Sequence, residues 1–151
     1  MAVVDALRAS PLFKGFTDTG LQILATIAVE RAFPAGSPLF VDNMVADSML
    51  IIVDGRVRLT AKGAAGEEVA LGGVGPGQPL GQISLVSRGK RMCTATAESN
   101  VSAVEIRQAD FHKLMAQKPQ ACMKLLMNIV SDFGHRLEDN REGLRSLLGR
   151  K

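Results

Sequence analysis

The middle of the chain, from about Phe33 to Ile106, consists of short apolar runs separated by glycine, aspartate and asparagine. Most of the fifteen glycines of this 151-residue chain lie in the same stretch. The runs cover residues 38–41, 49–53, 57–59, 69–71 and 101–106. Asp54-Gly55, between two of them, is a strong signal for a β-hairpin. Many short strands with glycine turns, and no long helix between them, predict an antiparallel sandwich or small barrel rather than a parallel sheet.

Helical patterns flank this β region on both sides. Near the N-terminus a break at Ser10-Pro11 separates two short apolar segments, and Thr17 is placed to cap the second helix, whose apolar residues follow helical spacing. The expected organisation is one domain, with a helical N-terminus over 1–32, a barrel over 33–107 and helices over 108–151.

The last helix is predicted to run from about Gln120 to Leu148 after the break at Lys118-Pro119. Its apolar residues alternate in steps of four and three, with one polar member: Leu126, Val130, Phe133, Leu137, Asn140, Leu144 and Leu147. A heptad seam with a single asparagine favours a homodimer of defined register. The alternative is a helix whose first half packs on the barrel and whose remainder frays.

Composition excludes several classes of protein. The net charge is +3, with the two signs interspersed, so nucleic-acid binding is not indicated. Cys93 and Cys122 have neither metal-site spacing nor the pattern of a disulfide framework. There is no signal-peptide pattern at the N-terminus and no apolar run of about 18 residues that could cross a membrane. We therefore expect a cytoplasmic protein with reduced thiols.

The segment Gly81-Gln82-Ile83-Ser84-Leu85, followed by Gly89-Lys90-Arg91-Met92-Cys93-Thr94, is the strongest candidate site. A glycine and exposed backbone N–H groups allow an anion to approach closely. A guanidinium can hold phosphate through paired hydrogen bonds. The simpler interpretation of Arg91 is a solvated loop charge, and its spacing to Gly81 and the flanking strands favour phosphate contact over it.

The order of these features resembles that of the cyclic nucleotide-binding domain family. The likeness spans nearly the whole chain and lies in the opening helices, the turn into the barrel, a strand, the entry to the cassette and a later helix. These are Leu12-Phe13, Leu21–Ile27, Phe33–Phe40, Asp47–Gly55, Pro76-Gly77 and Phe111–Pro119. The resemblance implies an α+β fold, an antiparallel β jelly-roll barrel flanked by N-terminal helices and a long C-terminal helix.

The resemblance also assigns roles within a phosphate-binding cassette at 81–94. Arg91 would pair with the cyclic phosphate, and Gln82 would accept a hydrogen bond from the ribose 2′-hydroxyl. Backbone N–H groups near Met92 and Cys93, and those of a short turn at Gly81, Ile83 and Ser84, would bind the same ligand. Val74 would contact the base, and Asp132, Arg136 and Asn140 are candidates to cover it from the last helix.

Three cassette residues depart from the commonest family pattern. Gln82 replaces glutamate, Lys90 replaces a proline, and Met92 stands where serine or threonine is frequent. Without a hydroxyl after the arginine, adenine is favoured over guanine. The same departures support an alternative in which nucleotide binding has been lost.

The predicted function is a regulatory sensor that binds a 3′,5′-cyclic purine nucleotide, with cAMP preferred to cGMP, and signals through movement of its C-terminal helix to an unidentified effector. The alternative is a degenerate domain that acts only in protein interaction. Catalysis is not expected, because His112 and His135 lie in predicted helices outside the barrel and no metal or cofactor set is evident. No room for a DNA-binding module follows the last helix, so we expect a stand-alone domain or a fragment of a larger regulator.

Overall fold

Two four-stranded antiparallel sheets face each other in the computed structural model, which describes residues 2–148. The strands are β1 (Ala28–Phe33), β2 (Pro38–Phe40), β3 (Val45–Ala46), β4 (Ser48–Asp54), β5 (Val57–Lys62), β6 (Glu68–Val74), β7 (Pro79–Leu80), β8 (Gly89–Lys90), β9 (Thr94–Ala97) and β10 (Val101–Arg107). One sheet has the order β1-β10-β4-β7 and the other β2-β9-β5-β6, while β3 and β8 form a separate ribbon. This is the predicted jelly roll.

Helices cover one side of the first sheet. They are α1 (Val3–Arg8), α2 (Asp18–Ala25), α3 (Gln108–Gln117), α4 (Pro119–Asp139) and α5 (Arg141–Leu148), with single 3₁₀ turns at Pro11–Phe13 and Gln82–Leu85. The side chain of Thr17 caps α2 as predicted, by accepting a hydrogen bond of 3.1 Å from the N–H of Gly20. The α+β class and the long C-terminal helix are confirmed.

Strand β4 divides the core into two parts, because consecutive side chains of a strand point to opposite faces. Met49 and Ile51 pack with the helices, whereas Leu50 and Ile52 pack between the sheets. All four are almost completely buried. The inner cluster also contains Phe33, Phe40, Val57, Leu80, Ala95, Ala97, Val101 and Ala103, and it lies directly beside the candidate cassette.

The predicted hairpin at Asp54-Gly55 is wrong. The turn carries the chain from the first sheet to the second, since β4 pairs with β10 and β7, and β5 pairs with β6 and β9. A two-residue hairpin of the favoured type needs positive φ at both central residues. Here only Gly55 has it, with φ +90°, and a Cβ there would collide with the carbonyl oxygen of Asn100.

The first strand begins at Ala28, within the segment predicted to be helical. Helix α2 ends at Ala25, and β1 then pairs with β10 from Ala28 to Phe33. The sequence of β1 does not alternate apolar with polar residues, and its middle residues are exposed. Its conformation is set by pairing with β10, whose partner residues lie 68 to 78 positions further along the chain (Phe33 with Val101, Ala28 with Ile106). The end of β10 at Arg107 coincides with the predicted end of the barrel.

The C-terminal helix is interrupted at Asn140. This residue lies between α4 and α5 with φ −104° and ψ 25°, and its side-chain amide donates a 2.8 Å hydrogen bond to the carbonyl oxygen of Arg136. Its place in a continuous heptad seam is therefore wrong, because its amide serves the end of its own helix. Leu126, the first predicted seam residue, packs against the helical core. The side chain of Leu147 lies outside the described residues.

Candidate functional site

The cassette begins with a turn whose conformation favours glycine. Gly81 follows β7 with φ +70°, and the N–H of Ser84 donates to its carbonyl oxygen at 2.9 Å, which starts the 3₁₀ turn at Gln82–Leu85. A Cβ at Gly81 would collide with Nη1 of Arg91. Left-handed backbone and close approach thus both favour glycine here. The structure therefore brings the predicted glycine and arginine into direct proximity.

The backbone of Arg91 is fixed between β8 and β9. Its N–H donates to the carbonyl oxygen of Met44 at 2.7 Å, and its own carbonyl oxygen accepts from the N–H of Asn43 at 2.8 Å. Asn43 has φ +71°, an uncommon conformation for a residue other than glycine. The ribbon of β3 and β8 therefore holds the arginine at the end of the cassette.

The side chain of Arg91 points inward and is only 8% exposed. Its Nη2 donates to the backbone carbonyl oxygen of Ser48 at 2.9 Å and lies 3.3 Å from that residue's Oγ. Its Nη1 makes a long contact of 3.4 Å with Oγ of Ser84. The guanidinium carbon lies 4.3 Å from the centre of the Phe40 ring, a distance typical of a cation–π contact.

This buried cation has no ion pair among the described residues. Its Nε is also the one fully buried side-chain nitrogen or oxygen in that part of the chain without a hydrogen-bond partner. Desolvation lowers the pKa of Arg91, and the more distant carboxylates of Asp47 and Glu105 only partly oppose that effect. Buried charges in proteins are normally paired. A guanidinium in this state is suited to bind an anion.

Gln82 connects the cassette to α4. The side chain is largely buried, and its Nε2 donates a 3.0 Å hydrogen bond to Oδ2 of Asp132. The same oxygen accepts from Nε of Arg136 at 3.0 Å. Two of the three residues proposed from sequence to cover the base are thus placed at the cassette. The third, Asn140, bonds instead to the backbone of Arg136.

The remaining predicted residues differ in exposure. Ile83 is 42% and Met92 89% exposed, so neither side chain belongs to the core, and their predicted contribution is through backbone N–H groups. Cys93 and Val74 are half-buried and pack against the inner cluster. Burial, followed by the nearby Asp42 carboxylate, raises the pKa of the Cys93 thiol. The ligand contacts of these four residues stay predictions.

Two site residues were missed by the sequence analysis. Phe40 forms the surface under the guanidinium, and Ser48 accepts hydrogen bonds from it. Each looks like an ordinary strand residue, and each is far from Arg91 along the chain. Their roles follow from the pairing of β2 with β9 and from the position of β4 in the sheet, which no local pattern indicates.

Residues 2–148 contain no cluster of three or more histidine, cysteine, aspartate or glutamate side chains arranged to hold a metal ion. None of the helices within the same range has the length and apolar character required to cross a bilayer.

The fold and site define a jelly-roll domain with a glycine-led cassette and a buried arginine that is suited to bind an anion. The model of the cyclic nucleotide-binding domain matches residues 30–118, and the chain belongs to that family. The resemblance inferred from the sequence is thereby confirmed.

Similar proteins include transcriptional regulators and channels. The chain is 26% identical over 113 residues to a cyclic AMP receptor protein of Thermus thermophilus, a match covering 75% of this chain and 52% of that protein. It is 30% identical over 114 residues to a cyclic nucleotide-gated potassium channel of Mesorhizobium japonicum, which covers 76% of this chain and 30% of the channel. The chain thus spans about half the length of the curated regulators that it matches.

Solved structures agree with this assignment. The catabolite activator protein of Thermus thermophilus superposes with a TM-score of 0.81 at 25% identity, covering 91% of this chain and 63% of that one. The N-terminal domain of a transcriptional regulator from Streptomyces coelicolor superposes with a TM-score of 0.80 at 26% identity, covering 89% and 96% respectively.

Proposed function

We propose that this domain is a sensor of a 3′,5′-cyclic purine nucleotide, with cAMP as its preferred ligand, and that Arg91 binds the cyclic phosphate. The observation that carries the proposal is the buried guanidinium without an ion pair among the described residues. A cyclic phosphate supplies one negative charge and two free oxygens, which match the planar fork of an arginine.

Binding is expected to rearrange the cassette. Because Nε of Arg91 is sealed from solvent, an anion can pair with it only if neighbouring groups move. The long contact between Nη1 and Ser84 is the weakest bond that holds the side chain and is the first candidate to break. The Gln82–Leu85 turn carries both Ser84 and the residue that contacts α4, so a shift of the turn reaches the helix.

Adenine is favoured over guanine by the residue after the arginine. Met92 has no hydroxyl, and its side chain is almost fully exposed. The base would lie near Val74 and the inner cluster, with Asp132 and Arg136 on the side of α4. Since Asn140 bonds to its own helix, we do not include it in the proposed cover.

Calorimetric titration with cAMP, cGMP and 5′-AMP tests the proposal. Saturable binding of cAMP, weaker binding of cGMP and none of 5′-AMP are expected. Arg91→Ala removes paired charge-assisted bonds and should weaken cAMP binding by about 100-fold or more. Arg91→Lys should also bind poorly, because an ammonium cannot form the planar fork. Lys90→Ala, which removes an exposed charge from the same loop, is the matched control.

The titration also decides between sensing and the degenerate alternative. If the wild-type chain takes up no nucleotide, or if Arg91→Ala binds as well as wild type, phosphate recognition by Arg91 is excluded. Only the first of these outcomes would leave the domain as an interaction module, for which the exposed side of α4 is the candidate surface.

That side of α4 supports a second element of the proposal, a homodimer through this helix. Apolar side chains that are 37–69% exposed follow it in order: Met123, Met127, Val130, Phe133, Leu137 and, in α5, Leu144. Met123, Val130 and Leu137 are seven residues apart, the repeat of helix pairs that pack side by side. This stripe replaces the predicted seam, since it excludes Leu126 and Asn140. Sedimentation at rising concentration should show a dimer, and a monomer throughout would reject it.

Signalling through α4 is tested by distance. A spin label on the exposed face of α4 and another on β6 should change separation when cAMP is added. An unchanged distance distribution at saturating cAMP would reject movement of the helix, even if binding is confirmed.

A further inference from the structure

The amide of Gln82 has one end occupied and one end free. Its Nε2 donates to Asp132, and no described residue donates to its Oε1. In residues 2–148 the one fully buried side-chain nitrogen or oxygen without a hydrogen-bond partner is Nε of Arg91. Since Oε1 of Gln82 also has no partner there, it is not fully buried. The Asp132 bond therefore orients the amide so that its acceptor end is available at the cassette. A donor from a ligand can reach that end.

Asp132 is itself held in place by its own helix. Arg136, one turn further along α4, donates from Nε to the same carboxylate oxygen at 3.0 Å. A carboxylate accepts several bonds but donates none, so it can bind only the Nε2 end of the glutamine amide. Gln82, Asp132 and Arg136 thus form a hydrogen-bond network from the cassette to α4. Both bonds are donated to Asp132, because its carboxylate can only accept.

From this geometry we infer that Asp132 is a positioning residue, which holds the Gln82 amide with Oε1 toward the ligand and so tethers the cassette to α4. The inference rests on the proposed function. Gln82 follows Gly81, where an added Cβ would collide with Nη1 of Arg91, so a hydroxyl adjacent to a phosphate bound there is the donor that Oε1 would meet. In a cyclic purine nucleotide this donor is the ribose 2′-hydroxyl.

The tether also explains why glutamine suits this chain at position 82. A glutamate there would bring a second carboxylate to hydrogen-bond distance of Asp132, and like charges at that distance repel. Arg136 would neutralise only part of that charge, since it is 59% exposed. An acid at position 82 would thus repel the acid at position 132, whereas an acid at one position and an amide at the other can form a hydrogen bond.

The test compares cAMP with 2′-deoxy-cAMP, which lacks the hydroxyl. Asp132→Ala should lower the ratio of the cAMP affinity to the 2′-deoxy-cAMP affinity by about fivefold, the effect of one hydrogen bond, because only cAMP carries the hydroxyl that Oε1 would accept from. Asp139→Ala removes an exposed carboxylate from the end of the same helix and should leave the ratio unchanged. A merely structural role of Asp132 would weaken both nucleotides equally, and that result would overturn the inference.

An exchange of the two groups provides the rescue. Gln82→Glu alone should weaken cAMP by about tenfold or more through repulsion. Gln82→Glu combined with Asp132→Asn restores a carboxylate–amide bond in the opposite direction. This double variant should recover the wild-type ratio of the cAMP affinity to the 2′-deoxy-cAMP affinity within about twofold. A double variant whose ratio of affinities is no closer to wild type than that of Gln82→Glu would contradict the inference.

A ligand-free measurement separates this inference from the proposed function. The side-chain amide signals of Gln82 in a ¹⁵N-labelled sample should shift in Asp132→Ala and stay in place in Asp139→Ala. Unmoved signals in both variants would overturn the tether, whatever the protein binds. Failure of wild type to bind either nucleotide would overturn the proposed function, while the amide signals would still report whether Asp132 holds Gln82.

Discussion

The cassette and helix α4 each contain side chains whose burial is the opposite of what their polarity favours. In the cassette a cation is buried and has no ion pair among the described residues. Along α4 apolar side chains such as Val130 are exposed. Both arrangements cost free energy in the isolated chain, by desolvation in the first case and by hydration of apolar surface in the second. The comparison teaches that burial without a counter-charge and exposure without apolar cover are the two features on which the proposed partners depend, an anion for Arg91 and an apolar surface for α4.

The largest effect should come from Arg91→Met, which separates ligand binding from stability. Binding of cAMP should fall by about 100-fold or more, because the phosphate loses its guanidinium. The free energy of unfolding without ligand should stay within about 1 kcal/mol of wild type or rise, since a buried unpaired charge is replaced by a side chain that can pack on Phe40. Paired calorimetry and urea denaturation measure both. A loss of stability as large as the loss of binding would show that the arginine is mainly structural.

For α4, a pair of charges in the exposed stripe should break self-association. Val130→Glu with Phe133→Glu places carboxylates where apolar contact is expected and should weaken the dimer by about 30-fold or more. Sedimentation gives the dimer constant, and cAMP titration of the same variant should show an intact cassette. Lys113→Glu, an exposed change outside the stripe that alters the net charge by the same amount and sign, is the control. Equal dissociation in the control would point to net charge rather than to the stripe.

A glycine-to-alanine substitution should change the free energy of unfolding in opposite directions in the two regions, which sharpens the comparison. Gly81→Ala places a Cβ at φ +70° against Arg91 and should lower the free energy of unfolding by about 1–3 kcal/mol. Gly134→Ala, in α4 with open space around the position, should raise it by about 0.5–1 kcal/mol through helix propensity. Urea denaturation at a concentration where the protein is monomeric checks both, and a stabilising Gly81→Ala would refute the described cassette geometry.

The smallest effect concerns the two thiols. Burial raises the pKa of Cys93 and of Cys122, so the folded state keeps these protons to higher pH than the unfolded state does. Their contribution to stability is fully present at neutral pH and is lost as the pH rises past the ordinary thiol pKa of about 8.5. Stability should therefore decline more steeply between pH 8 and 10 in wild type than in a Cys93→Ala, Cys122→Ala double variant. Parallel slopes would remove the thiols as the cause.

Much of the architecture could be predicted from the sequence because it rests on local signals. The apolar runs predicted β2, β4, β5, β6 and β10, and Thr17 predicted the start of α2. Strand β1 was not predicted, because it is exposed along most of its length and its sequence does not alternate apolar with polar residues. The turn at Asp54-Gly55 was placed correctly but connects two sheets, since strand partners are chosen across the molecule.

At the site, residue types and spacing identified Gly81 and Arg91, which the structure brings together. They could not identify Ser48 and Phe40, because these residues reach Arg91 only through sheet pairing. The seam along the last helix failed at Asn140 for a similar reason. A polar residue at a seam position and a polar residue that terminates a helix look alike until the local backbone is known.

The sequence alone determined the α+β class, the order of the helical and β regions and the position of the cassette, because turn residues and apolar periodicity act over a few neighbouring positions. Only the tertiary structure decided that Arg91 is buried without an ion pair in the described chain, that Gln82 turns its amide toward Asp132, and which side of α4 remains exposed. Burial and hydrogen-bond partners depend on contacts between residues tens of positions apart, and those contacts exist only once the sheets and helices have packed.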